Sequence, residues 1–165
     1  MKKDILPAKE KSKAYYMRAA LRAAEKAGAL GEVPVGAVVV YNGRIIASAG
    51  NRRETGKNAL HHAELLAIDK ACKRLSGWRL FDCDLYVTLE PCPMCAGAII
   101  NSRIRNVYIG ARDAKAGCFG SVTDMNALSF NHKPNVEFGI LEEKCANLLR
   151  DFFLRLRKEK SSYKK

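Results

Sequence analysis

The stretch "VPVGAVVVYNGRIIASAGN", residues 33–51, constrains the fold more than any other part of the sequence. It contains two apolar, β-branched runs separated by Asn42 and Gly43, a pair that tolerates the positive φ angles of a tight hairpin turn. Helical periodicity precedes this hairpin, and strand and helix patterns alternate after it. The sequence therefore predicts an α/β protein with one mixed sheet of about five strands and helices on both faces.

The spacing of apolar residues predicts the other elements. Helices are expected over residues 13–28, 59–75 and about 93–102, and a final amphipathic helix over residues 142–160. Further strands are expected at "DLYVTL", "NVYIGA" and "VEFGIL", with a long functional loop between the last two that contains one helical turn. The final helix is predicted to be amphipathic, with its apolar positions at Cys145, Leu148, Leu149, Phe152, Phe153 and Leu156.

Length and composition predict a single domain that spans residues 1–165. A chain of 165 residues with 48% hydrophobic residues suits one core of ordinary size. No apolar run reaches the length of a bilayer span, and no secretion signal follows the basic start of the chain. We therefore expect a cytoplasmic protein with no membrane contact.

The chain has six cysteines, and the expected cytoplasmic location determines how they are interpreted. A reducing environment disfavours disulfides, so clustered cysteines indicate metal binding or catalysis. Four cysteines occur singly and are expected to be small buried hydrophobic residues: Cys72, Cys83, Cys118 and Cys145.

The net charge of +12 is large for this length and is concentrated at the two ends of the chain. A polyanion is the partner that such charge favours, although basic ends also occur as solvated tails. The cations that carry this prediction are Lys2, Lys3, Lys9, Lys11 and Lys13 at one end, and Arg155, Arg157, Lys158, Lys160, Lys164 and Lys165 at the other.

Two short motifs carry the candidate chemistry, "HAE" at 62–64 and "PCPMC" at 91–95. Both precede predicted helices at loop or strand junctions, where α/β folds place ligands. Cys92 and Cys95 in the first turn of a helix point the same way, and the helix dipole favours their thiolates. With one imidazole they form a zinc set that leaves a position open for water, while Glu64 is placed to move a proton.

Two other interpretations of these motifs stay open from the residues alone. Cys92 and Cys95 also fit a thioredoxin-like redox pair, but that interpretation explains neither His62 nor Glu64. A closed structural zinc site needs a fourth ligand, for which the candidates are Cys83, Cys118 and His61.

The motif HxE followed by PCxxC resembles the zinc-dependent cytidine-deaminase superfamily. Within it, "EVPVGAVVV", "AGNR", "YVTLEPCPMCAGAII", "SRI", "GARDAKAGCFGS" and "LLRDFF" are similar to the bacterial tRNA-specific adenosine deaminases, over roughly residues 13–157. The resemblance implies a three-layer α/β/α fold and a Zn²⁺ ion held by His62, Cys92 and Cys95. It also implies that Glu64 shuttles protons while water replaces the C6 amine of adenosine, giving inosine and ammonia.

The same resemblance implies a substrate and a partner, namely the wobble adenosine of a tRNA anticodon loop and a second copy of the chain. The residues that it implies for substrate binding are Asn51, Ala63, Asp113, Lys115, Phe153 and Arg157. For Asn51 an equal alternative is a turn residue that ends a strand. For Phe153 an equal alternative is a residue of the hydrophobic core.

The sequence departs from the family pattern just before the zinc histidine. Family members usually carry Asp-Pro-Thr-Ala there, whereas this chain has Asn58, Ala59, Leu60 and His61. Loss of the proline alters the loop beside the predicted pocket, and substrate choice becomes the open question. The alternatives are a deaminase of small molecules such as guanine or cytosine, and a non-catalytic RNA-binding protein with a closed zinc site.

Overall fold

The computed structural model describes residues 5–162, so Lys2, Lys3, Lys164 and Lys165 of the basic ends lie outside the described residues. In chain order the elements are α1 (Lys13–Ala29), β1 (Gly36–Tyr41), β2 (Arg44–Gly50), α2 (Ala63–Leu75), β3 (Cys83–Leu89), α3 (Pro93–Asn101), β4 (Asn106–Ala111), a 3-10 turn (Met125–Ala127), β5 (Asn135–Glu137) and α4 (Glu142–Ser162).

The five strands form one mixed sheet in the order β2-β1-β3-β4-β5. Strand β1 pairs antiparallel with both β2 and β3, whereas β3, β4 and β5 are mutually parallel. The predicted hairpin is confirmed, because Asn42 and Gly43 take φ angles of 49° and 71° between β1 and β2.

Helices cover both faces of the sheet, which confirms the predicted three-layer arrangement. Ala37 and Val39 of β1 pack in a core with α2 and α3, while Val38 and Val40 point to the other face and pack with α1. Because successive strand side chains alternate between faces, a strand buried on both sides is apolar at nearly every position. This double burial explains the unbroken run "GAVVVY".

Two predictions about the elements are wrong. Helix α2 begins at Ala63 and not at residue 59, because His62 is extended, with φ −75° and ψ 149°. The strand predicted at 136–141 ends at Glu137, since Gly139 and Leu141 take φ angles of 86° and 55° that a strand does not accommodate. The amphipathic pattern of α4 is confirmed, since Cys145 and Phe152 are buried and Leu148 and Leu149 pack against the core. Phe153 is 39% exposed.

The strand directions bring several loops to one edge of the sheet. Strands β2, β3 and β4 run the same way, so the segments that follow them leave at the same edge, where β1 begins. Helices α2 and α3 therefore start side by side at this edge, next to the segment that follows β4. Within residues 5–162, none of the helices combines the length and the apolar character needed to cross a bilayer.

Candidate active site

Two helix N-termini meet at this edge and bring the two sequence motifs together. His62 immediately precedes α2, and Cys92 immediately precedes α3, with Cys95 in the first turn of α3. The first amide groups of a helix and its dipole favour negative charge, so this arrangement stabilises thiolates. The backbone at the two helix N-termini therefore favours negatively charged sulfur ligands at this position.

The three side chains have the spacing of a metal site. Nδ1 of His62 lies 3.7 Å from Sγ of Cys92 and 3.6 Å from Sγ of Cys95. Zinc–sulfur and zinc–nitrogen bonds at a tetrahedral angle would separate such ligand atoms by about 3.6 Å. The donor set therefore fits zinc. Within residues 5–162, His62, Cys92 and Cys95 form a cluster of three metal-ligating side chains that lie close enough together to share one ion.

The electrostatics of the two thiols also favour a cation. A hydrogen bond from the Cys95 thiol lowers the pKa of Cys92 to about 4, with burial opposing this effect and His62 reinforcing it. That same hydrogen bond and burial raise the pKa of Cys95, because a second thiolate would lie beside the first in a buried position. A divalent cation between the sulfurs removes this repulsion and allows both thiols to ionise.

A cavity of about 170 Å³ opens beside the cluster. Its walls include His62, Cys92, Glu64, Asn51 and Asp113. Glu64 is only 4% exposed, and burial raises the pKa of its carboxyl group to about 7. A carboxyl group in this environment can accept and release a proton near neutral pH.

Asn51 is fixed within this cavity by the start of α2. Its side-chain oxygen Oδ1 accepts a hydrogen bond of 3.0 Å from the backbone N–H of Ala63. This contact orients the side-chain amide of Asn51, so that its Nδ2 donor remains for a ligand. Ala63 is fully buried and contributes through its backbone, and it is not among the residues that line the cavity.

The glutamate before the cysteine motif anchors the loop that follows β4. Glu90 is 2% exposed, and its carboxylate accepts hydrogen bonds from the backbone N–H groups of Asp113 (3.1 Å), Phe119 (3.0 Å) and Ser121 (3.1 Å), and from the Ser121 hydroxyl. Sequence reasoning missed this role. The available signal was a charged residue at the end of a buried strand, where a carboxylate needs several donors.

Glu32 anchors a second loop that lines the cavity, the one that contains Arg53, in the same way. It is 1% exposed and accepts hydrogen bonds from the N–H groups of Glu54 (3.2 Å) and Thr55 (2.7 Å), and from the Thr55 hydroxyl (2.8 Å). Burial alone would raise the pKa of Glu32, but these hydrogen bonds and nearby Arg53 lower it. Arg53, on the loop held by Glu32, lines the cavity and was also missed.

The other predicted substrate-binding residues lie at different distances from the cavity. Asp113 lines it, and its Oδ1 accepts the N–H groups of Lys115 (2.9 Å) and Ala116 (3.2 Å). Lys115 is exposed and is not among the residues that line the cavity. Phe153 and Arg157 lie on the exposed surface of α4 and do not line the cavity. Phe153 contacts Phe152 edge to face, with ring centroids 5.4 Å apart.

His61 turns away from the metal cluster. A Cβ added at Gly56 would collide with Nδ1 of His61, so the ring packs against this glycine of the preceding loop. The carbonyl of His61 accepts the N–H of Arg52 at 3.0 Å, and Leu60 is 57% exposed. Neither His61 nor Leu60 lines the cavity. His61 instead contacts Arg52 and Gly56 of the preceding loop.

Fold and site together define a deaminase of the cytidine-deaminase type. The family model of MafB19-like deaminases matches residues 11–157. A guanine deaminase from Nitrosomonas europaea has the same fold, with a TM-score of 0.72 at 26% sequence identity, over 90% of this chain and 88% of that one.

Two further comparisons are closer in sequence. The tRNA-specific adenosine deaminase of Bacillus subtilis is 53% identical over 153 residues, which cover 91% of this chain and 94% of the relative. A solved tRNA:A34 deaminase, studied for A-to-I editing at the wobble position, has a TM-score of 0.77 at 43% identity, over 83% of this chain and all of that one. The chain belongs to the family of tRNA-specific adenosine deaminases.

Proposed function

We propose that this protein deaminates adenosine at the wobble position of a tRNA anticodon loop by zinc-dependent hydrolysis. One observation carries the proposal. A small cavity joins a His/Cys/Cys cluster, a buried carboxyl group and an oriented amide, in a chain 53% identical to a tRNA-specific adenosine deaminase. Glu32 and Glu90 anchor two loops that line the cavity, and this fixes the position of its walls, as a catalytic pocket requires.

His62, Cys92 and Cys95 would hold the zinc ion. Three protein ligands leave a coordination position for water, whereas structural zinc sites close with four. When bound, zinc supplies the Lewis acidity that makes water a nucleophile at neutral pH. The redox-pair interpretation of the cysteines gives no role to His62, whose Nδ1 faces both sulfurs.

Glu64 is proposed to move the protons of the reaction. Its buried carboxyl group takes a proton from the attacking water and passes it to a ring nitrogen of adenine. It then takes the second proton from the new C6 hydroxyl group and donates it to the C6 amine as the C6–N bond breaks, so that inosine and ammonia leave the site. The raised pKa of Glu64 suits a group that must both accept and donate.

Asn51 and the backbone of Ala63 are proposed to position the base. The hydrogen bond between them holds the Asn51 amide at the cavity wall, where its Nδ2 can donate to a ring or ribose acceptor. Since this amide is oriented before the substrate enters, binding costs less conformational entropy.

Asp113, Lys115, Phe153 and Arg157 are proposed to contact the anticodon loop around the target base. Asp113 is in the cavity wall, and exposed Lys115 lies on the same turn, with its backbone N–H hydrogen-bonded to Asp113. The exposed ring of Phe153 and the guanidinium of Arg157 are one turn apart on α4, where a ring can stack on a base and a cation can pair with a phosphate.

The proposal also covers domain organisation, oligomeric state and location in the cell. Residues 1–165 act as one deaminase domain, and two copies form a homodimer. The enzyme acts in the cytoplasm, because its substrate is tRNA.

A small-molecule deaminase is the second candidate. The guanine deaminase of Nitrosomonas europaea has this fold, so the same machinery on a free base is a specific alternative. Greater sequence identity to the tRNA-specific enzymes, and the basic surface of the chain, favour the tRNA substrate.

One assay tests the proposal. Purified protein is incubated separately with an anticodon stem-loop bearing a wobble adenosine, free adenosine, guanine and cytosine, and ammonia and inosine are measured. The stem-loop is expected to yield both products. Turnover of guanine or cytosine without inosine formation in the stem-loop would assign the second candidate.

The matched variants are Glu64→Gln and Glu143→Gln, which change first-turn glutamates of α2 and α4. Glu64→Gln should lower kcat by about 10²–10⁴-fold, the usual contribution of general acid–base catalysis. Zinc content, measured by elemental analysis, should stay the same because Glu64 is not a ligand. Exposed Glu143 serves as the control. Retained activity, or loss of zinc, would refute the role of Glu64.

A further inference from the structure

A second cavity lies between α1 and the edge strand β2, and we call it the α1–β2 groove. Its volume is about 550 Å³, and four cationic side chains line it, those of Arg22, Lys26, Arg52 and Lys70. All four residues are exposed, and among the described residues no Asp or Glu lines the groove. The groove is therefore a concave surface of one charge sign.

Two glycines determine the closeness of α1 to the strands. A Cβ at Gly50 would lie 2.5 Å from the carbonyl oxygen of Ala23, and one at Gly36 would collide with the carbonyl of Ala20. Only glycine permits this approach, which sets the exposed face of α1 directly beside β2.

That exposed face of α1 carries a row of cations. Arg18, Arg22 and Lys26 are spaced four residues apart, so they lie along one side of the helix and extend the charge beyond the groove. The row from residue 18 to residue 26 is about 12 Å long, and phosphates along one strand of a duplex are about 3.4 Å apart on its axis. The row thus has the length of three to four phosphates.

Interactions within the protein do not account for this charge. The ion pairs in the part of the chain that the structure describes use Lys13, Arg53, Lys73 and Arg105, and none of the groove cations. Like charges four residues apart destabilise a helix. Lys70 donates to the carbonyl of Ser48 at 2.8 Å, which protects the edge of β2 from pairing, but that protection does not require cations on α1.

The groove adjoins the candidate active site at one residue. Asn51 lines both the α1–β2 groove and the active-site cavity. Gly50 and Ala27, in van der Waals reach of each other, place the last turns of α1 at this end of the groove. A nucleotide whose base occupies the cavity would therefore direct its neighbouring phosphates toward Arg52 and Lys26.

We propose that the α1–β2 groove binds the phosphodiester backbone of the substrate RNA next to the target adenosine. This inference rests on the proposed function, whose target is a nucleotide within a polynucleotide. Arg52 and Lys26 contact the phosphates nearest the cavity, and Arg22 and Arg18 contact those farther along the strand.

The test compares two double variants on exposed helix positions. Arg22→Gln/Lys26→Gln removes two groove cations, and Lys73→Gln/Arg74→Gln removes two cations at the end of α2 that lies away from the active site. Both variants lose the same charge, and glutamine is a good helix former. Thermal unfolding checks that both variants fold. The charge-preserving double variant Arg22→Lys/Lys26→Arg should bind RNA like the wild type, because it keeps both groove cations.

Binding of a fluorescent anticodon stem-loop is measured by anisotropy across a range of salt concentrations. The groove variant should bind about tenfold more weakly, and its slope of log K against log salt should fall by about 1.4 to 1.8, because each lost phosphate contact lowers it by 0.7 to 0.9. The Lys73/Arg74 variant should keep the wild-type slope. Equal slopes for the two variants would overturn the proposal.

Competition with inorganic phosphate distinguishes an RNA backbone from free phosphate as the ligand of the groove. At matched ionic strength, inorganic phosphate should not displace the RNA, since linked phosphates fill the row together. Displacement would identify a site for free phosphate and overturn the proposal. Because anisotropy needs no turnover, a wild-type protein that binds the stem-loop in the groove without forming inosine would refute the proposed function alone.

Discussion

Glu90→Gln is the substitution that tests most directly how the cavity is held open. In the native protein Oε1 accepts the N–H groups of Phe119 and Ser121, and Oε2 accepts the N–H of Asp113 and the Ser121 hydroxyl. Glutamine has the same shape but one acceptor oxygen. If that oxygen keeps Phe119 and Ser121, the new amide group faces the N–H of Asp113, and two donors then oppose each other.

The magnitude follows from these contacts. A buried N–H left without an acceptor costs about 1–3 kcal/mol, and hydrogen bonds to a charged group exceed neutral ones by roughly 1 kcal/mol. Glu90→Gln should therefore lower the free energy of unfolding by about 2–4 kcal/mol. For a chain of this size the melting temperature Tm should fall by roughly 4–16 °C, since each kcal/mol of destabilisation lowers Tm by about 2–4 °C.

Urea unfolding followed by circular dichroism measures this change, with exposed Glu143→Gln as the control. KM for the stem-loop should also rise, because Asp113 and Ala116 of the anchored loop line the cavity. A free energy of unfolding within about 0.5 kcal/mol of wild type, the range of ordinary surface substitutions, would refute the assigned role of Glu90.

Three other predictions concern the site and its supports. Cys95→Ser should lower zinc content below one ion per chain, which elemental analysis after dialysis measures, because a neutral hydroxyl replaces a thiolate ligand. Asn51→Asp should keep the acceptor for the Ala63 N–H but lose the Nδ2 donor, so steady-state kinetics should show weaker substrate use with a nearly unchanged melting temperature; a large loss of stability would contradict this. Glu32→Gln should destabilise the protein at pH 7, and the difference should shrink as the pH falls below about 4, because a carboxylate with a lowered pKa stabilises the fold only while ionised. Urea unfolding at several pH values checks the trend, and a difference independent of pH would exclude the mechanism.

The altered segment before His62 shows the limit of sequence reasoning. Leu60 and His61 stand where the family has Thr-Ala, and the sequence predicts that they change the edge of the pocket. In the structure His61 packs on Gly56 and Leu60 faces solvent, while Arg53 of the same loop lines the cavity. The direction of a side chain on a non-repetitive loop depends on contacts that periodicity does not encode.

Local chemistry accounts for the features that were predictable from the sequence alone. The hairpin turn at Asn42 and Gly43, the periodic helices and the strands of β-branched residues follow from backbone preferences and burial within each segment. The motifs His-x-Glu and Pro-Cys-x-x-Cys identified the candidate ligands, because these residue types have few common roles at that spacing.

The meeting of distant segments depends on the tertiary structure. The fold brings His62 within 3.7 Å of Cys92 and 3.6 Å of Cys95, makes Glu90 and Glu32 the anchors of two loops, and leaves Phe153 on the surface of α4. It also places the cations of α1 beside Asn51. These relations follow from strand order and direction across the sheet, which are set by the packing of the whole chain and not by the pattern of any one segment.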